Sequence, residues 1–110
     1  MGRRVLLVED DHNTCSALSA LLEMEGFAVD ACSNGAEALR RLSQGNYDEL
    51  LTDLLMPSME GLELTRTARV LQPSIRCFVI TGSTQTPDPD VSAWFTKPID
   101  FDALLQVLGS

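Results

Sequence analysis

Leu50-Leu51-Thr52-Asp53-Leu54-Leu55-Met56-Pro57 reads as a short apolar strand that ends on one carboxylate and then turns. The Leu50-Leu51 run suits a strand buried on both faces, as in a parallel sheet held between helices. Pro57 rules out simple continuation as a strand or helix. Asp53 therefore stands where the strand leaves the core, a costly place for a carboxylate unless it is paired, hydrogen-bonded or bound to a cation. A lone Asp there is more commonly a helix cap or a turn residue. What the rest of the chain brings beside it decides between these readings.

On the N-terminal side, Val5-Leu6-Leu7-Val8 is a second uniformly apolar run, and it ends in Glu9-Asp10-Asp11. Asn13 to Glu25 is a helix candidate with Cys15, Leu18 and Leu22 at helical spacing and Gly26 as its stop. Phe27 to Ala31 reads as a strand, and Asn34 with Glu37 is a capping-box-like start to a helix that closes near Gly45. Beyond Asp53, Leu64, Ala68 and Leu71 form one stripe of a helix from Gly61 to Leu71, with Pro73 just past its end. Ile75 to Ile80 is a fourth strand leading into Thr81-Gly82-Ser83. Pro87 and Pro89 disfavour a long helix between Gln85 and Asp90. Trp94-Phe95-Thr96 is a short fifth strand before Lys97-Pro98, and Asp100 can cap a last helix through Leu104, Leu105 and Leu108.

Strands alternating with helices imply right-handed crossovers and an α/β, doubly wound parallel sheet with helices on both faces. In such folds chemistry gathers at the carboxyl ends of the strands, near the switch point. Glu9, Asp10, Asp53, Thr81 and Lys97 all fall at predicted strand ends.

A chain of 110 residues supports one core without staples, so a single domain over residues 1–110 is expected. Sixteen acids against eight bases, a formal charge of −8, argue against nucleic acid or an anionic membrane as direct partner. Such a surface suits protein partners or a bound cation. Cys15, Cys32 and Cys77 are odd in number and lie in no CxxC pattern, as small core residues of a reduced, cytoplasmic protein would. No signal peptide is visible, and no segment approaches the roughly 20 apolar residues of a membrane span.

Gathered on one edge, Glu9, Asp10 and Asp53 would repel one another and so demand a cation. Hard oxygen donors with little His or Cys nearby favour Mg²⁺, and His12 reads as a surface residue at a helix start. Asp53 can attack a phosphoryl group to give an acyl phosphate. Lys97 would then neutralise phosphoryl oxygens, the Thr81 hydroxyl would donate to them, and Gly82 leaves room for their approach. Each residue also has a plainer reading. Glu9-Asp10-Asp11 suits an ordinary helix N-cap cluster, Thr81 a turn, and Lys97 a solvated charge.

In this order and spacing the motifs resemble the receiver (phosphoacceptor) domain of bacterial response regulators over essentially the whole chain. The matching pieces are Val5 to Asp11, Asn34 to Leu39, Thr52 to Pro57, Met59 to Leu64, Ile80-Thr81-Gly82 and Thr96-Lys97-Pro98. The resemblance implies a five-stranded, flavodoxin-like doubly wound sheet. It implies a phosphoryl group taken from the phosphohistidine of a sensor histidine kinase or histidine phosphotransfer protein. Asp53 becomes the phosphoacceptor, Asp10 the direct Mg²⁺ ligand, Glu9 the water-mediated one, and the Leu55 carbonyl the last protein ligand. Thr81 becomes the switch hydroxyl, Lys97 the phosphate-binding lysine before a usually cis bond to Pro98, and Trp94 stands at the switch-aromatic position.

Departures from the family pattern carry expectations of their own. The interval from Thr81 to Lys97 is several residues short, so the fourth helix is predicted lost or reduced, with the docking modes that use it. Trp94 is bulkier than the usual switch aromatic and equally suits an anchor over the gap. Glu49 holds an early strand position that is normally apolar. Leu55 and Ser83 flank the path of a hydrolytic water, and an apolar Leu55 predicts slow autodephosphorylation. One alternative is a pseudo-receiver that binds partners without phosphorylation. Another, a phosphatase or phosphomutase, lacks its usual second Asp because Leu55 stands there. No output module fits in this length, so the chain is expected to be a stand-alone receiver or part of a longer kinase or regulator.

Overall fold

The computed structural model describes residues 3–55, 59–82 and 88–108. Expectations that fall on Pro57, Ser83 and Pro87 lie outside the described residues. The elements run β1 (Arg4–Val8), α1 (His12–Met24), β2 (Ala28–Cys32), α2 (Gly35–Gln44), β3 (Glu49–Asp53), α3 (Gly61–Leu71), β4 (Arg76–Thr81), β5 (Ala93–Thr96) and α4 (Phe101–Leu108). All neighbouring strands pair parallel, in the order β2-β1-β3-β4-β5. The chain thus winds outward in both directions from the adjacent strands β1 and β3, and their carboxyl ends form the switch-point crevice.

Alternation along each strand divides the core into two layers. Leu6, Val8, Leu50 and Cys77 face α2 and α3, where Ala38, Leu42, Leu64 and Ala68 meet them. Val5, Leu7, Leu51, Phe78, Ile80 and Phe95 face the other way, against Leu18 and Leu22 of α1 and Leu104 and Leu108 of α4. β3 is buried at every position, as a central strand covered on both sides must be. Burial pushes the Cys32 and Cys77 thiols up to about 12, which keeps them protonated core residues.

Helix ends follow the local chemistry. Asp11 caps α1 by accepting from the Thr14 backbone N–H at 2.9 Å, and Asn34 caps α2 by accepting from that of Glu37 at 2.8 Å. Gly26, at φ 94°, takes the left-handed turn that ends α1 and starts β2. The Asp100 carboxylate accepts from the Ala103 N–H at 3.2 Å, as expected for the start of α4.

Glu49 is wholly buried at the start of β3. Arg3 donates to it from Nε at 3.0 Å, and the Arg76 guanidinium pairs with the same carboxylate. Arg76 also donates to the Leu108 carbonyl at 3.0 Å. One charged knot therefore ties β1's approach, β3, β4 and the end of α4 together at the pole opposite the strand ends.

Between β4 and β5 no helix occurs among the described residues, which fits a reduced fourth helix. Asp88 makes a short turn by accepting from the Asp90 N–H at 2.9 Å, and Arg66 of α3 lies 3.6 Å from Asp88 and 4.0 Å from Asp90. Ser92 then donates to the Cys77 carbonyl at 2.7 Å, which places β5. Trp94 alternates with Ala93 and Phe95, which belong to the α1–α4 layer, and is half-buried on the opposite face of the sheet.

Candidate functional site

Three strand ends deliver the predicted groups to one place. β1 runs out at Val8 into Glu9 and Asp10, β3 ends on Asp53, and β4 ends on Thr81. Carboxylate oxygens of Glu9, Asp10 and Asp53 lie within 4.8 Å of one another. Glu9 is 2% exposed and Asp53 7%, whereas Asp10 is exposed. Lys97 follows β5 and places Nζ 3.2 Å from Asp53 Oδ2. His12 is exposed at the start of α1, as its sequence context suggests.

The backbone around Asp53 is tightly fixed. Leu54 N–H donates to the Ile80 carbonyl at 2.8 Å, the Thr52 hydroxyl donates to the Asp53 carbonyl at 3.0 Å, and Lys97 N–H donates to the Thr81 carbonyl at 3.0 Å. A cavity of about 290 Å³ opens above, lined by Asp53, Leu54, Leu55, Thr81, Gly82 and Lys97. Leu55 is exposed and Thr81 buried at its wall. The Lys97–Pro98 bond is cis.

The electrostatics favour a cation. Burial raises the Glu9 carboxyl above the ordinary range, opposed by a hydrogen bond from the Asp11 N–H at 3.0 Å and reinforced by the charge of Asp53. Burial alone would lower Lys97, but its hydrogen bond to Asp53, with the charges of Asp53, Glu9 and Asp10, holds the ammonium above its usual value. Lys97 therefore stays charged across the neutral range. Glu9 Oε2 is buried without a hydrogen-bond partner. An orphaned buried carboxylate oxygen beside two further carboxylates is a donor set that fits Mg²⁺.

All the residues expected at the strand ends are thus brought together, with Trp94 on the neighbouring β5. Missing from the sequence reading is the part played by Asp11, whose backbone N–H holds Glu9 Oε1 while its side chain caps α1. The run of three acids hinted at it only as a cap.

Known proteins match this chain in sequence and in fold. The family model for the response regulator receiver domain matches residues 5–109. The response regulator receiver protein CpdR of Brucella abortus is 41% identical over 80 residues, covering 73% of this chain and 67% of that protein. The Escherichia coli transcriptional regulatory protein GlrR is 34% identical over 110 residues, but the chain spans only 25% of its length. Among solved structures, response regulator TrrA of Thermotoga maritima in complex with Mg²⁺-BeF is 28% identical with a TM-score of 0.88, covering 97% of this chain and 96% of that one. TrrA in complex with histidine kinase ThkA matches at 30% identity with a TM-score of 0.87 and the same coverage. Sequence match over nearly the full chain, a doubly wound sheet and an acidic switch-point crevice agree: this chain belongs to the response regulator receiver domain family.

Proposed function

We propose that residues 1–110 form a Mg²⁺-dependent phosphoacceptor of a two-component system, with Asp53 as the acceptor. The observation that carries this reading is the Asp53 carboxylate at a buried strand end, with Lys97 3.2 Å away on one side and Glu9 and Asp10 within 4.8 Å on the other. In the reaction an Asp53 oxygen bonds to phosphorus as the P–N bond of a phosphohistidine breaks, and the imidazole nitrogen keeps the electron pair. Asp53 needs no general base, because it attacks as a carboxylate. Mg²⁺, when bound, neutralises charge on the transferring phosphoryl oxygens. Glu9, Asp10, Asp53 and the Leu55 carbonyl would hold it.

Lys97 pairs with a second phosphoryl oxygen, and the Thr81 hydroxyl donates to a third once it turns toward the group. That turn, with a change at Trp94, is the conformational bias passed to a partner. TrrA's complexes with a histidine kinase and with Mg²⁺-BeF support a sensor kinase or a phosphotransfer protein as the donor. The protein is a cytoplasmic switch that accepts a group on itself rather than an enzyme turning over a separate substrate. Leu55 has no polar group to orient water, so the acyl phosphate should persist. A half-life of seconds with Mg²⁺ present would contradict that point.

The test is transfer of labelled phosphoryl from a phosphohistidine donor. Label should appear on the chain, be released by hydroxylamine as acyl phosphates are, and be absent from Asp53→Asn. Label that stays on donors while a known receiver accepts it would count against the reading.

A further inference from the structure

Gly61 opens α3, and its N–H donates to the Leu54 carbonyl at 2.7 Å. Its φ is not positive, so no left-handed turn demands glycine there. Space does. A Cβ at position 61 would lie 2.4 Å from the Asp53 carbonyl oxygen, 3.0 Å from Leu54 Cα and 3.2 Å from the Asp53 carbonyl carbon. These obstacles are backbone atoms of the acceptor residue and its neighbour, not the movable end of a side chain. A methyl group must therefore drive α3's first turn away from the end of β3, or shift Asp53 itself.

A second glycine seats the same connection from the other side. Gly35 opens α2, and a Cβ there would lie 2.8 Å from Met59 Cβ and 2.9 Å from Met59 Sδ. Met59 packs against the α2–α3 core layer two residues before Gly61. The sulfur can swing aside, but the Cβ moves only with the backbone. Gly45 is a useful contrast, because its nearest neighbour would be Arg4 Nη1 at 3.6 Å, an ordinary contact.

We propose that Gly61, assisted by Gly35, is a positioning residue for the phosphoacceptor site. The missing side chains let α3 and Met59 close onto the end of β3, which fixes the Asp53 carboxylate and the following Leu55 against Glu9 and Asp10. This rests on the phosphoacceptor reading above and adds the requirement for bare backbone at two helix starts. Small displacements at such a site are costly, since supporting contacts around metal ligands typically change affinity by roughly 10–100-fold.

The test is Mg²⁺ binding by calorimetry, with phosphoryl uptake from acetyl phosphate at limiting and saturating Mg²⁺, for wild type, Gly61→Ala, Gly35→Ala and Gly45→Ala. Half-saturating Mg²⁺ should rise roughly tenfold in Gly61→Ala, by a smaller factor in Gly35→Ala, and not at all in Gly45→Ala. Uptake in the first two should recover toward wild type at saturating Mg²⁺. A Gly61→Ala protein with a lowered Tm but unchanged Mg²⁺ half-saturation shows a purely structural role and overturns the proposal. Should Gly61→Ala fail to fold, Gly35→Ala decides: a raised half-saturation supports the proposal and an unchanged one overturns it. Wild type that neither binds Mg²⁺ nor takes phosphate removes the functional reading and the positioning role together. Wild type that does both, with all three variants matching it, overturns only the positioning role.

Discussion

At the residue scale the site runs on opposed charges at short range. Lys97 sits 3.2 Å from Asp53 Oδ2, in the place where a second cation would compete with a metal. Its ammonium thus has two effects of opposite sign. On the proposed phosphoacceptor reading it would stabilise a phosphoryl group on Asp53 and weaken the pull of the carboxylates on Mg²⁺. Lys97→Met should slow phosphoryl uptake roughly a hundredfold. The same change should tighten Mg²⁺ binding several-fold by removing a like charge. Calorimetry beside an uptake assay reads both, and weaker Mg²⁺ binding in the variant would show that Lys97 mainly shapes the pocket. The placement of Asp53 and Thr81 was legible in the sequence because each closes an apolar run that reads as a buried strand. That of Lys97 was legible because it follows the short Trp94-Phe95-Thr96 strand, which is only partly buried. The demand for glycine at position 61 was not legible, because it arises from α3 meeting the β3 backbone, a contact that no local pattern encodes.

At the scale of the elements, the strand and helix pattern was readable to within a residue or so at most ends. Thr81, for example, is the last residue of β4 rather than the first beyond it. The reduced fourth helix was visible in Pro89 and the short interval. Arg66 reaching Asp88 and Asp90 was not, since that pairing depends on where α3 packs. Glu49 looked anomalous as a charge in a core strand, and the reason lies in two distant arginines that only the sheet register brings to it. Removing one partner of a buried ion cluster leaves uncompensated charge, so Glu49→Ala should cost about 3–5 kcal/mol. That is a fall in Tm of more than about 10 °C for a domain of this size. Arg3→Ala should cost about 1 kcal/mol or less, because the Arg3 side chain is 42% exposed. Equal losses in the two variants would contradict this division of the cluster.

At the scale of the whole molecule, charge sets both partners and pH response. The Tyr47 hydroxyl donates to Asp30 at 2.6 Å, and Arg4 donates to the same carboxylate at 3.1 Å. The Tyr47 bond, with help from Arg4, holds Asp30 below its ordinary 3.8, while burial and Asp30 hold Tyr47 above its ordinary 10.0. A depressed carboxylate contributes stability that is full above its unfolded value and is lost as pH falls through the folded one. A raised phenol contributes stability that is full below its unfolded value and is lost as pH rises through the folded one. The pair therefore supports the fold between those limits, and Tyr47→Phe should flatten the loss of Tm on acidification below about pH 4. An unchanged acid slope would assign the loss to other carboxylates. At one pole the buried Glu49 carboxylate is fully matched by Arg3 and Arg76. At the other, Glu9, Asp10 and Asp53 converge with Lys97 beside Asp53, which leaves that pole open to a cation. Everything proposed for function depends on that open pole accepting a phosphoryl group at Asp53 with Mg²⁺. The decisive measurement is intact mass after incubation with acetyl phosphate, with and without Mg²⁺, for wild type and Asp53→Asn. A gain of one phosphoryl group in wild type only, and only with Mg²⁺, is the predicted result. An unchanged mass, under conditions that load a known receiver, would contradict it and leave a phosphorylation-independent binding module in its place.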